Sequence, residues 1–193
     1  KTYRRAGASL PSGRGEGVPV NTLISSDRDV IRWMATGRAE MLVLLFTSAG
    51  NGFICRLGDM ISRTRQGKDF MTVPGNAEVM PALPLWPADA APKGADRYFL
   101  AALSSDARLL LFPLGEVPTR PNGGVGVQLI ALPEGVTLAS VAVTDGKALA
   151  LSGERRGRTI QENLDADALA GHIGRRAQRG RLADVRLRAL KIG

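Results

Sequence analysis

The chain has one cysteine and one histidine. A single cysteine excludes an internal disulfide and any thiolate cluster for a metal. Cys55 lies in the apolar run Phe53–Leu57 and reads as a small core residue. His172 stands in a basic, polar segment without the partners that catalysis or metal binding requires, so it reads as an exposed loop residue. Aromatics make up 5% of the chain, too few for the stacking platform of a single-stranded RNA binder. No apolar run approaches the roughly 18 residues of a membrane helix, so no membrane span is expected. The first residues, Lys1-Thr2-Tyr3-Arg4-Arg5, lack a signal-peptide core and begin abruptly, as a piece of a longer protein would. The glycine-rich stretches 13–17 and 123–126 are not phosphate loops, which need Gly-Lys-Ser/Thr opening a helix; here strands are expected to follow. There is no serine nucleophile elbow and no pair of carboxylates placed for acid–base work. By itself the chain does not read as an enzyme.

What is present is positive charge on a globular composition. Apolar residues reach 44%, ordinary for a folded domain. Lysine and arginine outnumber the acids 26 to 18, a net charge of +8. That balance favours an anionic partner, most often nucleic acid or an acidic membrane surface.

The pattern repeats. In the stretch organised around Thr47–Leu57, the apolar run Met41–Phe46 leads to Gly50-Asn51-Gly52, which is expected to form a hairpin tip. The return strand Phe53–Leu57 follows, then the basic loop Ser62–Lys68, then a short strand Phe70–Val73 closed by Pro74. The same order recurs with Tyr98–Leu103, a turn at Ser104–Arg108, Leu109–Phe112, a glycine loop at Thr119–Gly126 and a strand at Val127–Leu132. It recurs again with Val136–Val143, an Asp-Gly tip at Thr144–Lys147, Ala148–Leu151, a basic bend at Gly153–Arg158 and a glycine loop at Gly174–Arg181. Pro84–Lys93 reads as an irregular excursion, with Trp86 folded back on the body. Asn163–Gly171 can hold one or two helical turns capped by Asn163 or Asp165. A closing strand is expected over Leu182–Ile192, where apolar and charged residues alternate.

At the start of the chain, Tyr3 precedes Gly17 by the interval that separates Phe53 from Gly67. Lys1–Tyr3 therefore reads as a second hairpin strand and 11–17 as the first glycine loop, with a strand over Val18–Ile24. The aligned glycines Gly17, Gly67, Gly126 and Gly180 are spaced by 50, 59 and 54 residues. Units of this length, each made of several short strands, indicate a radial β array; two sandwich domains are the competing architecture. The expectation is an all-β, broken propeller of four-stranded blades with the first blade incomplete. It forms a single domain over 1–193, with blades at about 1–24, 29–74, 77–133 and 136–193.

Cations recur in or beside the glycine loops: Arg14; Arg63, Arg65 and Lys68; Arg120; Arg175, Arg176, Arg179 and Arg181. Arg155, Arg156 and Arg158 add a basic bend. In a radial array equivalent loops fall on one rim, so these residues are candidates for a curved basic band that contacts DNA phosphates with little base readout.

The segments 10–19 (LPSGRGEGVP), 47–68 (TSAGNGFICRLGDMISRTRQGK), 76–81 (NAEVMP) and 109–114 (LLLFPL) resemble the C-terminal domain of the bacterial topoisomerase IV A subunit, ParC. The likeness is clearest over 1–133 and looser over 155–192. The resemblance implies a β-pinwheel whose blades exchange strands. It implies a basic outer rim that binds and bends the transported duplex, tuning the preference for catenanes or supercoils during decatenation and relaxation. It also implies a cytoplasmic, nucleoid-associated A2B2 holoenzyme with the ParC N-terminal region and ParE. ATP and magnesium would act on other domains, with no cofactor in this chain. The related gyrase A domain carries a Q-R-R-G-G-K-G box for tight wrapping; here only R-G-E-G (14–17) and R-Q-G-K (65–68) stand in such loops. That favours weak bending over gyrase-type wrapping. A propeller-type protein-interaction module with a basic rim is the reading from a different class. The family's strand-cleaving tyrosine belongs to a region outside this chain, and Tyr3 and Tyr98 read as core.

Overall fold

The computed structural model describes residues 1–5, 15–24, 30–92, 94–185 and 188–192. A five-residue helix, α1 (Val20–Ile24), precedes eleven strands: β1 (Met41–Phe46), β2 (Asn51–Arg56), β3 (Leu83–Pro87), β4 (Phe99–Ser104), β5 (Arg108–Pro113), β6 (Val127–Gln128), β7 (Leu138–Thr144), β8 (Ala148–Arg155), β9 (Arg158–Asp165), β10 (Arg181–Leu182) and β11 (Arg188–Ile192). A second helix, α2 (Ala166–Ala170), follows β9.

Three sheets form, with strand orders β3-β1-β2-β6, β10-β5-β4-β7 and β11-β8-β9. Every pairing between these strands is antiparallel. The first two sheets are each a hairpin flanked by strands from later in the chain. The strand before the next hairpin pairs with the hairpin's first strand, as β3 does with β1 and β7 with β4. The strand after the next glycine loop pairs with the hairpin's second strand, as β6 does with β2 and β10 with β5. The same slot appears at the start of the chain, where Thr2 and Lys68 exchange backbone hydrogen bonds at 2.9 Å in both directions.

Sheet stacking explains why the hairpins read as unbroken apolar runs. Leu44 and Phe46 of β1 join Leu100, Ala102, Leu110 and Phe112 in one core, while Val43 and Leu45 face another with Phe53 and Phe70. Ala101, Leu103, Leu109 and Leu111 turn the opposite way, toward Leu149, Leu151 and Leu169. A sheet buried on both faces loses the alternation of polar and apolar residues. The third sheet shows the contrast: β9 alternates between exposed and half-buried positions. Cys55 is buried, and burial pushes its thiol up to about 12.

Several local expectations are corrected. The first tip is Ser48-Ala49-Gly50, with Asn51 and Gly52 already in β2, because Thr47 N–H donates to Asn51 O at 2.9 Å and closes the turn earlier. Residues 20–24 are helical rather than extended. Phe70–Val73 makes only a single parallel bridge, Met71 to Gly124. The start of the expected irregular excursion, Pro84–Lys93, is instead part of a strand, Leu83–Pro87, and Trp86 packs on Tyr98 with ring centroids 5.4 Å apart. Asp145-Gly146 does turn, since Lys147 N–H donates to Asp145 Oδ1 at 3.1 Å and Gly146 takes φ +79°. Yet β7 pairs with β4, so the turn links two sheets, and the true hairpin tip is the basic bend between β8 and β9. The strand at 127 extends over two residues only. The closing strand divides into β10 and β11, which belong to different sheets. Asp165, not Asn163, caps α2 through a 3.0 Å bond from Ala168 N–H.

The four aligned glycines share one conformation, with φ of +77°, +80°, +85° and +74° at Gly17, Gly67, Gly126 and Gly180. Three of them press on the preceding hairpin strand. A Cβ on Gly67 would stand 2.9 Å from Thr2 O, one on Gly180 would stand 2.8 Å from Leu109 O, and one on Gly126 would overlap Gly52 O. Gly135 has a similar φ of +76° with nothing within 4 Å, so it isolates the cost of backbone strain. Gly135→Ala is expected to cost roughly 1–3 kcal/mol and Gly126→Ala clearly more, read as the shift in urea midpoint. Equal losses would show that the close approach does not hold the sheets together. Cys55 is expected to resist alkylation at neutral pH until denaturant unfolds its sheet; rapid labelling of the native protein would contradict its placement.

Candidate nucleic-acid interface

The glycine loops are bonded to one another as well as to the sheets. Gly124 N–H donates to Phe70 O at 2.9 Å, and Thr72 N–H returns to Gly124 O at 3.0 Å. One unit later, Ala177 N–H donates to Leu129 O at 3.0 Å and Ala131 N–H to Gln178 O at 2.9 Å. The two later loops are thus each clasped to the residues that leave the loop before them. The loops at 62–68, 119–126 and 174–181 follow one another along a single ribbon of backbone.

The hairpin tips abut the same ribbon. Leu129 N–H donates to Gly50 O at 2.7 Å and Ala183 N–H to Ala107 O at 2.9 Å. Gly50, Ala107 and Gly157 hold equivalent tip positions, with φ of +81°, +62° and +75°. The tip Arg155–Arg158 is therefore the third member of this set by its backbone conformation.

The cations differ in how free they are. Arg63, Arg65, Arg156, Arg158, Arg175 and Arg181 are exposed, and their side chains make no hydrogen bond or ion pair among the described residues. Four of the other candidates are held. Lys68 Nζ donates to Asp59 O at 2.7 Å and lies 4.9 Å from the centre of the Phe70 ring, so its side chain braces its own loop. Arg176 Nη1 donates to Gln128 O at 2.7 Å, and its backbone N–H donates to Glu116 Oε2 at 3.0 Å. Arg179 lies 3.7 Å from Asp106, and Arg155 lies 3.5 Å from Glu162. Arg120 is half-buried, and its backbone N–H donates to Ile54 O at 2.8 Å. Arg14 lies outside the described residues.

The charge is thus uneven along the ribbon. The loop at 62–68 and the loop at 174–181 carry free arginines, while the loop between them carries only the tucked Arg120. Two offsets from the aligned glycine are shared, Arg63 with Arg176 and Lys68 with Arg181. In each pair one side chain is free and the other is tied down. Sequence reasoning missed the acids that hold part of this charge, because Asp106 is remote in sequence from Arg179 and no spacing rule links them.

Two shallow clefts lie in matching places, between the turn after a hairpin and the glycine loop. One, of about 560 Å³, is lined by Gly58, Asp59, Arg63, Thr64, Gly67 and Lys68 among others. The second, of about 220 Å³, is lined by His172, Ile173, Gln178, Arg179, Gly180 and Arg181 among others. His172 is half-buried rather than fully exposed, with Nδ1 3.3 Å from Leu109 O. Among the described residues no group of three or more His, Cys, Asp or Glu side chains is placed to hold a metal ion, and no helix is long and apolar enough to cross a membrane.

The arrangement has known counterparts. The family described as DNA gyrase C-terminal domain, beta-propeller, matches residues 42–84 and 99–145. The A subunit of DNA topoisomerase 4 from Neisseria gonorrhoeae is 33% identical over 187 residues, 96% of this chain and 23% of that protein. The chain therefore spans about a quarter of that relative's length. The solved E. coli ParC C-terminal domain superposes with a TM-score of 0.81 at 27% identity, covering 98% of this chain and 74% of that one. A solved DNA gyrase A C-terminal domain shares the fold at a TM-score of 0.58 and 13% identity, covering 75% of this chain and 46% of that one. The strand exchange, the recurring loop glycine and these likenesses agree: the chain belongs to the gyrase A and topoisomerase IV ParC C-terminal β-propeller family.

Proposed function

We propose that this chain is a single DNA-binding and DNA-bending domain of a topoisomerase IV ParC protein. It engages the transported duplex through the ribbon of glycine loops and the Arg155–Arg158 tip. One observation carries the reading: the glycine loops at 119–126 and 174–181 are each hydrogen-bonded to the exit of the loop before them. Free arginines on separate loops are therefore held in a fixed series. Phosphate contacts strung along a rigid curved support favour duplex that bends to follow it, without base readout. The glycines let backbone N–H groups come close to phosphate oxygens.

The domain tunes which topologies the holoenzyme resolves and does no chemistry itself. Its partners are double-stranded DNA, the ParC N-terminal region and ParE, in an A2B2 assembly in the bacterial cytoplasm, at the nucleoid. ATP and magnesium act on other parts of that assembly. The uneven charge, with a single arginine on the middle loop, supports bending over the tight wrapping expected of a gyrase box. A protein-interaction module with an acidic partner is the competing reading, and DNA affinity separates the two.

Affinity for mixed-sequence duplex is expected to fall with salt, at a log–log slope of roughly −3 or steeper. A flat slope with negligible binding at low salt would overturn the reading. Arg63→Glu with Arg65→Glu is expected to weaken binding by about tenfold or more and make the slope shallower by about 2, with unchanged thermal stability. Lys68→Ala is expected to lower stability as well, because Asp59 O loses its donor. A double arginine variant that binds like the parent would remove this loop from the interface.

A further inference from the structure

His172 is the chain's one histidine, and the fold uses its side chain for a single hydrogen bond, from Nδ1. Its carbonyl accepts from Leu111 N–H at 2.9 Å. In the preceding unit the equivalent carbonyl is that of Pro118, which accepts from Ile54 N–H at 3.0 Å. A proline does the same backbone work with no side-chain donor at all. The imidazole is therefore available for another purpose, and it lines the smaller cleft with Arg179, Gly180 and Arg181.

The hydrogen bond fixes the ring. Leu109 O can only accept, so Nδ1 carries the hydrogen. In the neutral ring Nε2 is then an acceptor, and among the described residues it has no protein partner. A second acceptor such as a phosphate oxygen is repelled by it. Once Nε2 takes a proton it becomes a cationic donor, and the ring keeps its bond to Leu109. The charged groups around it are Arg181, which is unpaired, Arg179, whose guanidinium lies 3.7 Å from Asp106, and Arg108, whose Nη1 donates to Gly180 O at 3.3 Å. Asp106 is already engaged by Arg108 at 3.3 Å and by Ser104. No carboxylate lines the cleft to compete for the proton.

We propose that this cleft seats a backbone phosphate of bound duplex DNA, with Arg181 as its fixed cation and His172 Nε2 as a donor that arrives with a proton. The inference rests on the DNA-binding reading above. It makes binding take up a proton at this one site, whereas arginine contacts are indifferent to pH in this range.

The test compares the parent chain with His172→Asn, whose amide N–H can still donate to Leu109 O but cannot titrate. Duplex affinity is measured at constant ionic strength from about pH 8 to about pH 6. The parent is expected to bind about three- to tenfold tighter at the lower pH, a linkage capped near tenfold per pH unit for one proton. His172→Asn is expected to lose that gain. Circular dichroism of both proteins checks that the fold is kept, and His172→Gln serves if the asparagine variant is unfolded. Inorganic phosphate as competitor separates a general anion seat, which it would empty at millimolar levels, from a seat formed only under a duplex. An unchanged pH response in the variant, or no pH response in the parent, would overturn this inference and leave the DNA reading standing. Absence of duplex binding at every pH would overturn both.

Discussion

The structure depends on a contact that only glycine permits. At Gly67, Gly126 and Gly180 the chain passes so close to the preceding hairpin strand that a β-carbon would meet a carbonyl oxygen or a side chain there. The left-handed φ at each position turns the chain into the short strand that completes the neighbouring sheet. Three things follow from one geometric fact. Sheets are stitched to their neighbours by backbone, loops are held against loops, and the cations those loops carry acquire fixed spacing. Side-chain packing then fills the space between sheets, with Phe112 and Phe53 fully buried in separate cores.

Electrostatics is layered on that frame rather than built into it. The exposed arginines sit on turns whose conformation is set by glycine and by backbone hydrogen bonds, so their charge can vary between units without disturbing the sheets. Lys68 and Arg176 show the opposite use of a cation, each donating to a backbone carbonyl and bracing the loop that presents its neighbours. Such internal bonds hold a charged group more firmly than a surface ion pair does. Part of the loops' own charge is thus engaged by backbone carbonyls.

Much of this was legible in the sequence. The hairpins at Met41–Arg56 and Phe99–Pro113, the recurrence of the aligned glycines and the membership of Thr2 in the first slot all follow from apolar runs and spacing. The failures share a cause. Asp145-Gly146 turns as its chemistry dictates, but turn chemistry says only that the chain reverses, not which strands then pair. Likewise Leu83–Pro87 has two prolines and no alternation, and its strand exists because β1 offers it an edge. Alternation over Leu182–Ile192 was genuine, yet its two ends were claimed by different sheets. At the site, residue type located the arginines, but only tertiary contacts reveal which are free, since the groups that hold Arg176 and Arg179 are remote in sequence.

Strand exchange also governs when this molecule can fold. The first sheet opens with Met41 and lacks its last strand until Gln128 is available, and the second opens with Phe99 and waits for Leu182. Neither unit finishes within its own stretch of chain. A ribosome releasing the protein from its N-terminus would hold each hairpin with an open edge for about the time needed to add fifty residues or more, which at roughly 5–20 residues per second is several seconds. Such edges are the parts of a β protein most prone to pair with strangers.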